Sequence, residues 1–180
     1  MAYLLKVSQT IDRITDFLGK TFSWLAIPLM LVLFWEVFIR KIVAPTNWAY
    51  DLSYMLYGAH FMLATGFALK YKAHVRTDVL YRRWSAKWQG IVDAVLYFMI
   101  FLPGVSVLMW ASWQYFYKSW EFKERYMSSP FMPPIYPLKF IMFFAIALLL
   151  IQGISELLKS FYAAKYGKWP DDGEQDGGDA

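Results

Sequence analysis

The side chains with the most chemical potential in this chain are few. There are two histidines, His60 and His74, no cysteine, and a handful of charged groups at the edges of apolar stretches. A haem or metal site needs a second ligand at the depth of the first. His60 falls in the middle of an apolar run and His74 beyond its end, so the two do not make one. Without thiols there is no disulfide, no thiolate metal site and no cysteine nucleophile. The chain has no GxSxG, HExxH or glycine-rich phosphate loop and no buried carboxylate pair. Catalysis therefore has no visible apparatus and no cofactor is expected. His60 reads instead as a hydrogen bonder between helices, worth on the order of 1 kcal/mol.

Two further groups of polar residues stand out. Glu36 and Arg40 are four apart, a spacing that permits a local ion pair on a helix, and Asp51 follows at similar depth. Such a set either orders the connection between them or touches another protein; ordinary interfacial charges are the plainer reading. Gln152 and Glu156 are also four apart, with Gly153 between them, and define a face that can pack closely on a neighbouring helix.

The elements that must position these residues are four apolar stretches near 22–39, 50–69, 91–116 and 137–158. Each holds about 18 to 26 residues, enough for a helix to cross a hydrocarbon core of about 30 Å. A composition of 58% hydrophobic and 21% aromatic residues agrees, and leaves little sequence for a soluble catalytic domain. The fold expected is an all-α integral membrane protein with four transmembrane helices in one domain over 21–162. Tryptophans cluster at the span ends as an interfacial belt.

Lys and Arg divide unevenly between the two sides of such a bundle. Lys6, Arg13, Lys20, Lys70, Lys72, Arg76, Arg82, Arg83, Lys87, Lys159, Lys165 and Lys168 fall on one side. Arg40, Lys41, Lys118, Lys123, Arg125 and Lys139 fall on the other. The positive-inside rule then places both termini and the second connection in the cytoplasm. A cleaved secretory signal is not expected, since residues 1–20 lack a compact apolar core.

Residues 1–20 are amphipathic: Leu4, Val7, Ile11, Ile14 and Leu18 share one face, with Lys6, Gln9, Asp12, Arg13 and Asp16 mostly opposite. The expectation is a helix lying along the membrane interface, with packing on protein as the alternative. The second connection sets Val75, Val79, Leu80, Trp84 and Trp88 among Arg76, Arg82, Arg83 and Lys87. It reads as a short interfacial helix, with Arg82, Arg83, Trp84, Lys87 and Trp88 as candidate contacts to phospholipid headgroups. Topology setting alone is the competing account of those charges. Pro28 and Pro103 should kink the first and third spans. The Pro-rich segment from Ser128 to Pro137 should be a stiff, extended outer connection, and the acidic tail over 163–180 should be disordered.

Around the second span the residues form a pattern: Trp35-Glu36 and Arg40, Trp48 with Asp51, Gly66, then His74-Val75-Arg76-Thr77-Asp78, with Gln152-Gly153-Ile154-Ser155-Glu156 late in the chain. This resembles the DctQ-like small membrane subunit of tripartite ATP-independent periplasmic (TRAP) transporters over roughly residues 17–160. Thr77 stands where that family often has an aliphatic residue, and Asp51 where it often has Glu.

The resemblance implies a scaffold that pairs with a large transmembrane subunit, while a periplasmic binding protein captures an organic acid and a sodium gradient drives uptake. Substrate and ion sites then belong to the large subunit. No catalytic, metal or substrate-binding residue is assigned here, and no nucleic-acid partner is expected. Trp35, Glu36, Arg40, Trp48, Asp51, His74, Arg76 and Asp78 are the candidate interface positions. Of these, His74, Arg76 and Asp78 are expected to form a structural clasp at the inner end of the second span. A membrane anchor for a redox enzyme and an autonomous channel or carrier are the competing functions. The first needs paired intramembrane histidines and the second a polar path through mid-span.

Overall fold

The computed structural model describes residues 2–71, 81 and 84–170. Helix α1 (Ala2–Ser23) leads through a tight break at Trp24–Leu25 into α2 (Ala26–Ile42). A short turn follows, then α3 (Asn47–Lys70). The third span comprises α4 (Ala86–Leu96), a π-helical turn (Tyr97–Phe101) and α5 (Leu102–Glu121), and the last helix is α6 (Tyr136–Tyr166). Among the described residues, four helical segments are long and apolar enough to cross a membrane: Leu5–Ile42, Asn47–Lys70, Ala86–Glu121 and Tyr136–Tyr166.

The prolines explain both irregularities. Pro28 has no N–H for the carbonyl of Trp24, so that carbonyl accepts from Ile27 at 3.1 Å instead. Trp24 and Leu25 bond back three residues, to Thr21 and Phe22, tightening the turn that separates α1 from α2. Pro103 would clash with the carbonyl of Met99 in a regular helix. One wide turn just before it absorbs the mismatch, and the Leu102 N–H reaches the Tyr97 carbonyl. The proline after Tyr136 sits in the first turn of α6, where a missing N–H costs nothing.

Helix α6 is the axis of the bundle, packed against α3, α4, α5 and α1, whereas α2 leans chiefly on α3. The core is small: Leu69, Ala94, Tyr97 and Leu157 are buried together, with Phe101, Leu102 and Leu149 against them. Close backbone approach does the rest. A Cβ at Gly90 of α4 would lie 2.5 Å from the Ala164 nitrogen and 2.8 Å from the Ser160 carbonyl oxygen, so α4 and α6 meet at a position only glycine fits. Toward the end of α5, Trp113, Phe116, Trp120, Tyr136 and Phe140 pack in tilted and edge-on contacts between α5 and α6.

Several boundaries and the course of one connection differ from the expectation. Helix α6 continues to Tyr166 and ends on Gly167, whose φ of 69° suits a left-handed cap. Trp169 then donates to Gln89 at 3.1 Å; residues 171–180 of the acidic tail lie outside the described residues. The connection between α5 and α6 is not an extended strap but folds back on itself. Tyr126 donates to the Pro133 carbonyl at 2.9 Å, and Ile135 to that of Glu124 at 3.1 Å. Lys87 and Trp88 belong to the first turn of α4, exposed together with Trp84. Helix α1 packs on α3 and α6 and presents its polar stripe to them. Ser8, Asp12 and Thr15 turn toward polar partners on α6, while Lys6, Gln9 and Arg13 stay exposed with Ile14 and Phe17.

Candidate functional site

At one end of the bundle the connections are tied down by acids. Glu36 accepts from the Thr46 backbone N–H at 3.3 Å, from the Thr46 hydroxyl, and from Arg40 at 3.2 Å. It thereby closes the turn between α2 and α3. Its side chain is only 12% exposed while that of Arg40 is 62% exposed, so the carboxylate is structural and the guanidinium is presented outward. Asp51 does not join this pair. It is buried and accepts the Ser129 hydroxyl, which fastens the start of α3 to the connection between α5 and α6.

On the far side of that connection Lys139, also buried, reaches Glu124 at 2.5 Å and lies 3.7 Å from the centre of the Tyr115 ring. The Lys139 ammonium, hydrogen-bonded to Glu124, holds the Glu124 carboxyl below the ordinary glutamate range. Trp35 and Trp48 flank this end with exposed rings. The polar set expected from the sequence is thus two separate fasteners, one per connection.

At the opposite end a polar seam joins α1 to α6. Asp12 bonds Lys159 at 2.7 Å, and accepts from Gln152 and Ser155 at 2.9 Å each. Lys159 also meets Glu156 at 3.0 Å. The Thr15 hydroxyl donates to Gln152 at 2.7 Å, and the hydroxyls of Ser8 and Ser155 are 2.7 Å apart. Gln152 and Ser155 are fully buried. Nearby, Lys70 at the end of α3 pairs with Asp16 at 2.5 Å, and the Tyr71 hydroxyl donates to the same carboxylate. His60 donates from Nδ1 to the Phe22 carbonyl at 3.3 Å, the helix-to-helix role its position suggested.

What this arrangement can do chemically is hold helices together. Every carboxylate in the seam accepts from neighbouring donors, and no group of three His, Cys, Asp or Glu side chains among the described residues is placed to hold a metal. Gln152 and Glu156 were legible as a packing face, but their partner was not. The signal was there in Ser8, Asp12 and Thr15, a polar stripe at spacings of four and three that matches Gln152, Ser155, Glu156 and Lys159.

One flank stays bare. No residue of α2 is buried, and Leu33, Phe34, Val37 and Phe38 project from it beside a shallow apolar groove.

The family described as tripartite ATP-independent periplasmic transporters, DctQ component, matches residues 29–162. The chain belongs to the DctQ family. It is a multi-pass membrane protein and the small-subunit component of a TRAP transporter, a family of transporter components rather than of enzymes. No curated protein and no solved structure matches it. The match takes in the fasteners at Glu36 and Asp51 and the α6 half of the polar seam, whereas α1 precedes it. Of the DctQ-like pattern residues, Trp35, Glu36, Arg40, Trp48 and Asp51 are gathered at one end of the bundle. His74, Arg76, Asp78, Arg82 and Arg83 lie outside the described residues.

Proposed function

We propose that this DctQ-family subunit is the scaffold of a sodium-coupled, binding-protein-dependent importer of an organic acid in the bacterial inner membrane, with both termini cytoplasmic. The observation that carries the reading is the division of labour in the bundle. Its polar groups are spent on internal fasteners and its bare apolar flank is lateral. A helix such as α2, of 17 residues and about 26 Å, with no buried side chain, suits a lateral contact with a large polytopic partner. The fastened connections, with Arg40 and the tryptophans presented outward, suit a periplasmic binding protein that docks and leaves.

The exposed Trp84, Lys87 and Trp88 suit headgroup depth on the inner side, where α1 lies along α3 and α6 with its exposed Ile14 and Phe17 toward lipid. Deleting this chain is expected to abolish uptake while the binding protein still captures its substrate. Normal uptake after deletion overturns the proposal.

A further inference from the structure

Beside the polar seam, where α1 passes the ends of α3 and α6, a cavity of about 420 Å³ opens, within the size range of ligand sites. Its polar lining includes Gln9, Asp12, Arg13, Asp16, Lys70 and Lys159. Two of the three cations are engaged, Lys70 by Asp16 and Lys159 by Asp12 and Glu156. Arg13 is exposed and takes part in no ion pair or side-chain hydrogen bond. Among the described residues lining it, a ligand here meets one free positive charge, on a planar group with donors suited to phosphate oxygens.

The same helix says what the rest of the ligand is. Gln9, Arg13 and Phe17 follow at intervals of four along α1, Lys20 shares their face, and Trp24 stands in the break just past the helix end. Phe17 and Trp24 are each 70% exposed. A polar cavity with a free guanidinium, beside which the Phe17 and Trp24 rings stand exposed, suits an amphiphile.

We infer that this cavity binds the phosphodiester headgroup of a glycerophospholipid on Arg13, with an acyl chain lying along Phe17 and Trp24. The site is distinct from the second connection and independent of what the transporter carries. A soluble phosphate compound shares the headgroup chemistry but has no use for the exposed rings.

The test uses the full chain, delipidated in detergent and titrated with phosphatidylglycerol, with bound lipid counted by native mass spectrometry and inorganic phosphate as competitor. Wild type is expected to retain one phosphatidylglycerol that inorganic phosphate does not displace. Arg13→Gln should bind it about tenfold more weakly, the size of one lost charge-assisted contact. Lys6→Gln removes an exposed cation of the same helix that does not line the cavity, and should bind as wild type. Since Arg13 has no protein partner, its variant should melt with wild type, which separates lost binding from lost folding. Equal retention by wild type and Arg13→Gln, or equal loss in both variants, overturns the site. Displacement by inorganic phosphate overturns the lipid assignment.

Discussion

Replacing Gly90 by alanine tests the bundle where its two halves come closest. The added Cβ would lie 2.5 Å from the Ala164 nitrogen, 2.8 Å from the Ser160 carbonyl oxygen and 2.9 Å from the Ala163 carbonyl carbon. All three atoms are backbone, so no rotamer change relieves the contact, and α4 must move by about 1 Å to reach ordinary separation. Overpacking of this kind costs about 1–3 kcal/mol, and backbone on the opposing side puts the cost at the upper end. Alanine's better helix propensity returns about 1 kcal/mol, leaving a net loss of about 2 kcal/mol.

Gly104 is the matched control, because a Cβ there meets nothing within 4 Å and only the propensity gain applies. Thermal unfolding of the purified chain in detergent should show Gly90→Ala about 4–8 °C below wild type and Gly104→Ala level with it or slightly above. Gly90→Ala melting with or above wild type would refute the close approach of α4 and α6.

Other substitutions separate fasteners from ornaments. Asp12→Ala removes the acceptor shared by Lys159, Gln152 and Ser155, and should cost about 3 kcal/mol in a melt and expose α1 to protease, while Lys6→Ala stays within about 0.5 kcal/mol of wild type. Glu36→Ala frees the Thr46 N–H and should lower the melting temperature more than Arg40→Ala, which touches only an exposed pair; equal losses would contradict the structural role given to Glu36. Glu124 has a lowered pKa in the folded state because Lys139 bonds its ionised form. Its contribution is therefore full above the ordinary glutamate value of about 4.5 and is lost as pH falls through the lower folded value. The stability gap between wild type and Glu124→Gln should follow that course; a gap that widens on acidification would reverse the assignment.

The four spans, the kinks at Pro28 and Pro103 and the start of α6 at Pro137 were legible because each follows from hydropathy or from a missing N–H, both local properties. The turn fastened by Glu36 was half legible, since Arg40 is one helical turn away but Thr46 becomes a neighbour only once α2 and α3 fold back. Asp51 and Ser129 are 78 residues apart, and nothing in either neighbourhood announces the other.

Which face of α1 meets the bundle was not legible, for a physical reason. Amphipathicity read against water puts Val7, Ile11 and Ile14 toward protein or lipid alike. Beside α6, Gln152, Ser155 and Lys159 offer Ser8, Asp12 and Thr15 a better environment than either. Reading two polar stripes as mutual partners, rather than each against solvent, would have paired them.

The most direct test of the scaffold role is to extract the tagged chain from its native membrane in mild detergent and identify by mass spectrometry what accompanies it. One large polytopic membrane protein in near-equal amount is the predicted result. Recovery of the chain alone, or with a flavin or iron–sulfur protein, would contradict it.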